Sequence, residues 1–304
     1  MCKKVVVIGG GIIGLCSAYY LNKEGHEVSV VDQSNLDSGA SYVNAGYLSP
    51  SHLIPLSAPG VMKKGLKWMF NPASPLYIKP RLDINFLKWA WAFNKSCNPK
   101  HVKKAAPIIK DISVLSQELV DEIKQEKNFS FHYRKKGLFM LCQTEKMLEE
   151  EVKVAEYAKA LGLESREVNA EEIKQIEPNA KINAIGAEYF KCDHHSTPEE
   201  FMSELKSHSK NSGVYYFVND KLQDVQVNNG MILSIKSVIQ ELDADEFFFA
   251  TGSWTWLLTK KIGLNLLMQA GNGYRINSKR VTGITIPAIL AEAKAAVTTM
   301  YGFT

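Results

Sequence analysis

The sequence predicts an α/β chain in which a parallel-sheet domain is interleaved with a second, α+β domain built on a mixed or antiparallel sheet. Three observations lead there. A β-branched run at the amino end passes straight into a cluster of glycines and then into helical periodicity. A second run of strand type, Phe247 to Phe249, recurs far along the chain. Between them lie helices and alternating strands that need a core of their own.

Val5, Val6, Val7 and Ile8 are the pattern of a strand covered on both faces. Gly9, Gly10, Gly11 and Gly14 follow, and Ile12 to Leu21 continue as a helix that stops near Gly25. Val28, Val30 and Val31 then form a second strand ending at Asp32. This strand, glycine turn, helix, strand and acid is the Rossmann-like dinucleotide pattern. Gly9 permits the tight turn, Gly11 lets the backbone approach a pyrophosphate, and Gly14 lets helix and strand pack closely. The helix start offers free amides to the phosphates. Asp32 is placed to accept from ribose hydroxyls, which disfavours NADP.

The fingerprint does not separate FAD from NAD. The small, polar stretch Ser38 to Gly46 brings backbone amides near phosphate and a flat ring. Ala250-Thr251-Gly252-Ser253, after the strand at Phe247, is a second close backbone approach. Both favour flavin.

Length and composition fit this reading. A chain of 304 residues buries a large core, as one big domain or two intertwined ones with a cleft between them. The 36 basic and 32 acidic residues give a net charge of +4 and are mixed along the chain, which argues against nucleic acid as a partner. Five widely spaced cysteines without a C-x-x-C pair fit reduced thiols in a cytoplasmic setting. The amino end reads as a buried strand, not a signal peptide, and no apolar run reaches the roughly 18 residues of a membrane span.

Gly9-x-Gly11-x-x-Gly14, Asp32, Asn44-Ala45-Gly46 and Ala250-Thr251-Gly252 together resemble the D-amino-acid oxidase superfamily of FAD enzymes. Within it the chain is similar to the bacterial D-amino-acid dehydrogenase branch of small-subunit type. That similarity lies at Asn44 to Pro50, Ala58-Pro59-Gly60, Leu66-Lys67-Trp68, Pro80-Arg81-Leu82-Asp83, Asp193 with Pro198 and Phe201, and Gly273-Tyr274. It covers essentially the whole chain. Tyr47 departs from it, since the branch more often has glutamine there.

The resemblance implies FAD as cofactor, with contacts at Gly9, Gly11, Ile12, Ile13, Gly14, Asp32, Gln33, Ala40, Ser41, Asn44, Ala45, Gly46, Leu48, Leu222, Ala250, Thr251 and Gly252. Leu222 is the position of a backbone contact to adenine. Tyr47, Leu48 and Tyr274 are expected to line a substrate pocket. The implied reaction is oxidative deamination of a D-amino acid, hydride passing from the α carbon to flavin, a step of amino-acid catabolism. No side-chain base or nucleophile is required, so no catalytic residue is assigned. A glycine or sarcosine type of amine oxidase and a non-catalytic flavin-binding subunit stay open. Members of the branch run on well beyond the position of Thr304, and the resemblance places a further flavin segment and a carboxylate-gripping arginine there. The expectation is weak FAD binding and poor turnover for the chain as given.

The implied electron acceptor is a membrane quinone or the respiratory chain. Residues Gly60 to Asn94, with Trp68, Trp89, Trp91 and several lysines, read either as core packing under a cap or as a surface lying on the inner face of the cytoplasmic membrane. Helices are expected over Ile108 to Lys127 and Met147 to Leu161, and strands at Phe129 to Tyr133, Gly137 to Cys142 and Ile185 to Phe190. Cys192-Asp193-His194-His195 has metal-ligand side chains. Adjacent residues of an extended segment face opposite ways, so no metal is assigned. The resemblance instead makes Asp193 to Pro198 a turn leading into a helix from about Glu199, capped by Thr197 or Ser196. Strands at 214–218, near Val225, at 232–235 and at 239–242 then lead to Phe247. The expected organisation is an FAD-binding domain of 1–85 and 193–262 interleaved with a substrate domain of 86–192 and 263–304.

Overall fold

The computed structural model describes residues 1–62, 65, 83–126, 128–280 and 282–304. It has the expected α/β class, in two compact units: Met1–Asn44 with Pro198–Arg275, and Ala45–Thr197 with Ile276–Thr304. The units divide after Asn44, Thr197 and Arg275, where the sequence reading divides after 85, 192 and 262.

The first unit is built on a four-stranded parallel sheet in the order β13-β1-β2-β9. Here β1 is Lys4–Ile8, β2 Glu27–Val31, β9 Tyr215–Phe217 and β13 Glu246–Phe249. Val5 to Ile8 and Val28, Val30 and Val31 are buried, so the unbroken apolar runs mark strands covered on both faces. Each such valine contributes about 1.5 to 3 kcal/mol by leaving water. One face, with Val7, Val28 and Val30, packs against Ala18 and Leu21 of α1 (Ile12–Lys23). α6 (Pro198–Asn211) lies beside α1, where the rings of His208 and Tyr19 sit 5.6 Å apart. The other face, with Val6, Ile8 and Val31, packs against Val225 and Ile235. These belong to the antiparallel meander β10 (Leu222–Asn228), β11 (Met231–Ser237) and β12 (Glu241–Asp243). Val238 and Ile239 form the exposed link before β12 rather than a strand. The helix α7 (Thr255–Lys261) was not foreseen from the sequence; its Leu258 joins the same core.

The second unit holds a five-stranded mixed sheet in the order β15-β14-β5-β7-β6. The strands are β5 (Leu138–Cys142), β6 (Ser165–Asn169), β7 (Gly186–Phe190), β14 (Ala288–Leu290) and β15 (Ala295–Val297). β5 alternates in use though all of it is buried. Leu138 and Met140 face Ala155 and Ala158 of α4 (Glu145–Ala160), while Phe139 and Leu141 face Ile173 of α5 (Ala170–Ile176). A smaller antiparallel sheet joins β3 (Tyr47–Leu48), β8 (His194–Ser196) and β4 (Tyr133–Arg134).

Two further expectations need correction. The strand expected at Phe129 to Tyr133 shrinks to Tyr133–Arg134, because the buried Phe129 and Phe131 anchor a coil and Lys124 Nζ donates to the Phe131 carbonyl at 2.6 Å. The helix expected from Ile108 begins a full two turns earlier, as α3 (Pro99–Gln125), since Asn98 caps it and Pro99 suits its first turn. Of the aromatic stretch, α2 (Ile84–Ser96) is capped by Asp83 and buries none of its residues. The Leu66-Lys67-Trp68 and Pro80-Arg81-Leu82 stretches lie outside the described residues. Among the described residues no helix is long and apolar enough to cross a membrane.

Candidate functional site

The chain turns from β1 into α1 through Gly9, Gly10 and Gly11. Three nearby glycines are explained by the protein's own packing. A Cβ on Gly9, whose φ is +101°, would lie 2.5 Å from the Ala250 carbonyl oxygen; on Gly10 it would lie 2.2 Å from Leu36 Cδ2, and on Gly14 1.8 Å from the Gly9 oxygen. Gly11 differs. Its φ of −67° and ψ of 179° suit any residue, and a Cβ there would meet only Ser41, with Oγ at 3.1 Å. Protein contacts leave the missing side chain at Gly11 unexplained, whereas close approach of a ligand explains it.

Gly11 is the N-cap of α1 and offers no capping side chain, and the first turn holds no acid. The helix start is thus a concentration of amide donors and positive partial charge, suited to a phosphate. One of those donors, Ile12 N, bonds to Ser41 Oγ at 3.1 Å. The loop carrying Ser41 is braced from within: Asn44 Nδ2 donates to the Ala40 oxygen at 3.1 Å and the Ser41 oxygen at 2.8 Å.

Asp32, just after β2, faces this bend. Its Oδ2 accepts from Gly10 N at 2.7 Å, while its Oδ1 accepts from both the backbone N and the Oγ of Ser34, each at 2.7 Å. A carboxylate has about four acceptor positions, so Oδ2 keeps one for a sugar hydroxyl. Ala250 N donates to the Ile8 oxygen at 2.8 Å, bringing the end of β13 against Gly9. Thr251 and Gly252, the latter at φ +53°, continue that turn. Gln33 and Ile13 are exposed, and Leu222 is part-buried at the head of β10. The first unit therefore gathers Gly9, Gly11, Ile12, Gly14, Asp32, Ser41, Asn44 and Ala250 into one cradle, while Leu222 stands in the meander. Tyr274 is 96% exposed.

Ala45, Gly46, Tyr47 and Leu48 belong to the second unit. The Gly46 oxygen accepts from Ser196 N at 2.8 Å, and Tyr47 and Leu48 pair with His195 and His194. The Tyr47 hydroxyl lies 3.0 Å from the Ala288 oxygen and 2.9 Å from the Val297 oxygen, and burial pushes its pKa up to about 12. The Leu48 oxygen accepts from Gln117 Nε2 at 2.7 Å.

Asp193 is fully buried and accepts from the backbone N and hydroxyl of Ser51. Burial raises its pKa, opposed by those bonds and by His52. His194 Nδ1 lies 2.6 Å from the Tyr133 hydroxyl. His195 is buried with no partner for Nδ1 among the described residues. Burial first, then His132, Lys136, Arg134 and His194, lower its pKa to about 4. Among the described residues no group of three His, Cys, Asp or Glu side chains is arranged to hold a metal.

Ser34 escaped the sequence reading, although Asp32-x-Ser34 after a strand is the spacing of an Asx turn. Ser51 and Gln117 bond to partners far away in sequence and give no local sign.

A family model described as FAD dependent oxidoreductase (DAO) matches residues 4–299. A D-amino acid dehydrogenase of Helicobacter pylori is 31% identical over 279 residues, covering 92% of this chain and 67% of that one. A D-amino acid dehydrogenase of Vibrio vulnificus is 28% identical, covering 98% of this chain and 70% of its own. Among solved structures, the glycine oxidase of Geobacillus kaustophilus superposes with a TM-score of 0.62 at 18% identity, over 87% of this chain. The match spans 59% of that oxidase, and it speaks for the fold alone.

Proposed function

This chain belongs to the DAO family of FAD-dependent oxidoreductases, and from that premise we propose that it deaminates a D-amino acid oxidatively, giving an imino acid that hydrolyses to a 2-oxo acid. Gly11 carries the proposal: its absent side chain is what a diphosphate lying against the start of α1 requires. The names of the bacterial relatives support the substrate class.

In this reading Gly11, Ile12 and the hydroxyl of Ser41 hold the diphosphate, and Gly9, Ile13 and Gly14 shape the bend around it. Asp32 accepts from one ribose hydroxyl with Gln33 beside it, and Leu222 serves adenine through its backbone. Ala40, Asn44, Ala45, Gly46, Leu48, Ala250, Thr251 and Gly252 are assigned to the remainder of FAD. Tyr47 and Tyr274 are assigned to the substrate. Bound FAD supplies the hydride acceptor for the α carbon, and the polypeptide supplies binding and orientation.

The electron acceptor is proposed to be a membrane quinone or the respiratory chain, reached from the inner face of the cytoplasmic membrane. α2 supports this, with Ile84, Leu87 and Trp91 exposed on one side and Lys88 and Lys95 beside them. Liposome flotation of the Trp91→Glu variant against the parent tests it; equal flotation removes α2 from the account.

The reaction is tested by the absorbance of the purified protein before and after anaerobic D-alanine or D-proline. A faintly yellow protein that takes up added FAD and bleaches slowly is expected. One that stays yellow with every amine is a flavin-binding subunit, and bleaching by glycine or sarcosine alone, with oxygen uptake, moves the substrate to those amines.

A further inference from the structure

Resting on the FAD reading of the glycine bend and deepening it, we infer that Arg275 is a positioning residue for the cofactor, holding the loop of Ser41 against the start of α1. The observation is where its guanidinium reaches. Nη1 lies 3.4 Å from the Tyr42 oxygen and 3.3 Å from Glu199 Oε2, and Nη2 lies 3.3 Å from Glu199 Oε1. The two side chains are only 18% and 19% exposed, so water screens this forked pair less than it would a surface one.

The three residues stand at the three places where the chain leaves or re-enters the first unit. That unit leaves at Asn44, resumes at Pro198 and ends at Arg275. Tyr42 precedes the first crossing, Glu199 follows the second, and Arg275 is the third. One cation thus gathers all the exits of the first unit at a single point. It is also an anchor for its own segment, since 264–279 forms neither helix nor strand.

From Tyr42 the restraint passes to the cradle through a short path. The Tyr42 carbonyl is in the loop braced by Asn44, whose amide holds the Ala40 and Ser41 oxygens. Ser41 Oγ in turn accepts from Ile12 N. Fixing the Tyr42 carbonyl fixes the Ser41 hydroxyl, so the loop does not have to be ordered when a diphosphate arrives. A planar guanidinium meets a carboxylate and a carbonyl together; a lysine ammonium, a point charge on a flexible stem, does not reproduce that fork.

The test uses the full chain and two readouts: the FAD dissociation constant from quenching of flavin fluorescence, and the rate at which chymotrypsin cuts after Tyr42 without FAD. Arg275→Gln is expected to weaken FAD binding roughly three- to tenfold, as the loss of one charge-assisted fork implies, and to speed the cut. The exchange Arg275→Glu with Glu199→Arg keeps an ion pair but sets a carboxylate against the Tyr42 carbonyl. It is expected to stay weak in FAD binding and fast in cleavage. Wild-type values for Arg275→Gln, or rescue of both readouts by the exchange, overturn the inference. Should Arg275→Gln not fold, the milder Glu199→Gln decides: unchanged affinity and cleavage overturn the inference, and a smaller shift of both supports it. Failure of the parent chain to take up FAD would sink the FAD reading instead, and the cleavage rates would still decide whether Arg275 holds the loop.

Discussion

Replacing Gly11 by alanine separates the ligand's claim on this position from the protein's. The backbone there suits alanine, and the new Cβ would meet only Ser41, whose Oγ at 3.1 Å need give by no more than a few tenths of an ångström while it still accepts from Ile12 N. Removing a glycine from such a position stabilises by about 0.4 to 1 kcal/mol through the unfolded chain. Alanine's poorer fit to an N-cap and the crowding of Ser41 offset that, so the net change should lie within about 0.5 kcal/mol. FAD binding should respond differently. A methyl group where the diphosphate lies removes at least one charge-assisted amide bond, about 1.5 to 3 kcal/mol, which is roughly a 10- to 150-fold weaker dissociation constant. Gly14→Ala is the contrast. Its Cβ would stand 1.8 Å from the Gly9 oxygen, a backbone atom that cannot turn away, so a loss of about 3 kcal/mol or more is expected. Urea denaturation without FAD reads the stability of both variants, and a flavin fluorescence titration reads the affinity of the one that folds. If Gly11→Ala binds FAD like the parent, or melts down as Gly14→Ala does, the reasoning from the glycine bend is refuted.

Asp32→Ala leaves Gly10 N and Ser34 N without the carboxylate that accepts from them, and should cost about 1 to 3 kcal/mol in urea together with weaker FAD binding. Unchanged affinity would remove Asp32 from the ribose. Glu177, 1% exposed, accepts from the backbone N and hydroxyl of Thr285 and from Ile286 N. Glu177→Gln turns an amide donor towards those donors and should lower stability by about 2 to 4 kcal/mol, read as a shifted urea midpoint. His195 is held neutral down to about pH 4, whereas in the unfolded chain it takes up a proton near its ordinary 6.5. Unfolding therefore gains a proton between these values, and stability should fall by up to about 3 kcal/mol as pH drops from 6.5 to 4. His195→Gln should flatten that part of the pH profile, and an identical profile would show that another group governs it.

The nucleotide end was legible because its physics is local. Buried valines, a glycine bend and a helix with a small face follow one another in sequence, and Asp32 closes the unit at the next strand's end. The mixed sheet was legible only in part. β5 and β7 announce themselves by apolar content, whereas β6, with Ser165, Arg166 and Glu167, carries no such run and is a strand because β7 offers it an edge. Phe129 and Phe131 misled in the opposite sense: they are as buried as strand residues, but the Phe131 carbonyl accepts from a lysine side chain. At the site, the glycines, Asp32 and Ser41 could be named because they follow the bend closely in sequence, whereas the bond from Arg275 far along the chain could not. Arg275 looks like any surface arginine until Glu199 and Tyr42 are seen beside it.

The pairing of Val5 to Ile8 with Glu246 to Phe249 sets the schedule of folding. The ribosome releases the first strand early, yet one of its flanks stays open until residue 249 has been made. β5, β6 and β7, by contrast, meet one another within Leu138 to Phe190, and only the second edge of β5 waits longer, for β14. Three strands of the later-synthesised middle are therefore able to settle before the amino-end sheet is complete, and β14 joins them last. During that interval a ribbon of valines paired along one flank only is on display, so yield in a cell should depend on chaperones that shelter nascent amino ends.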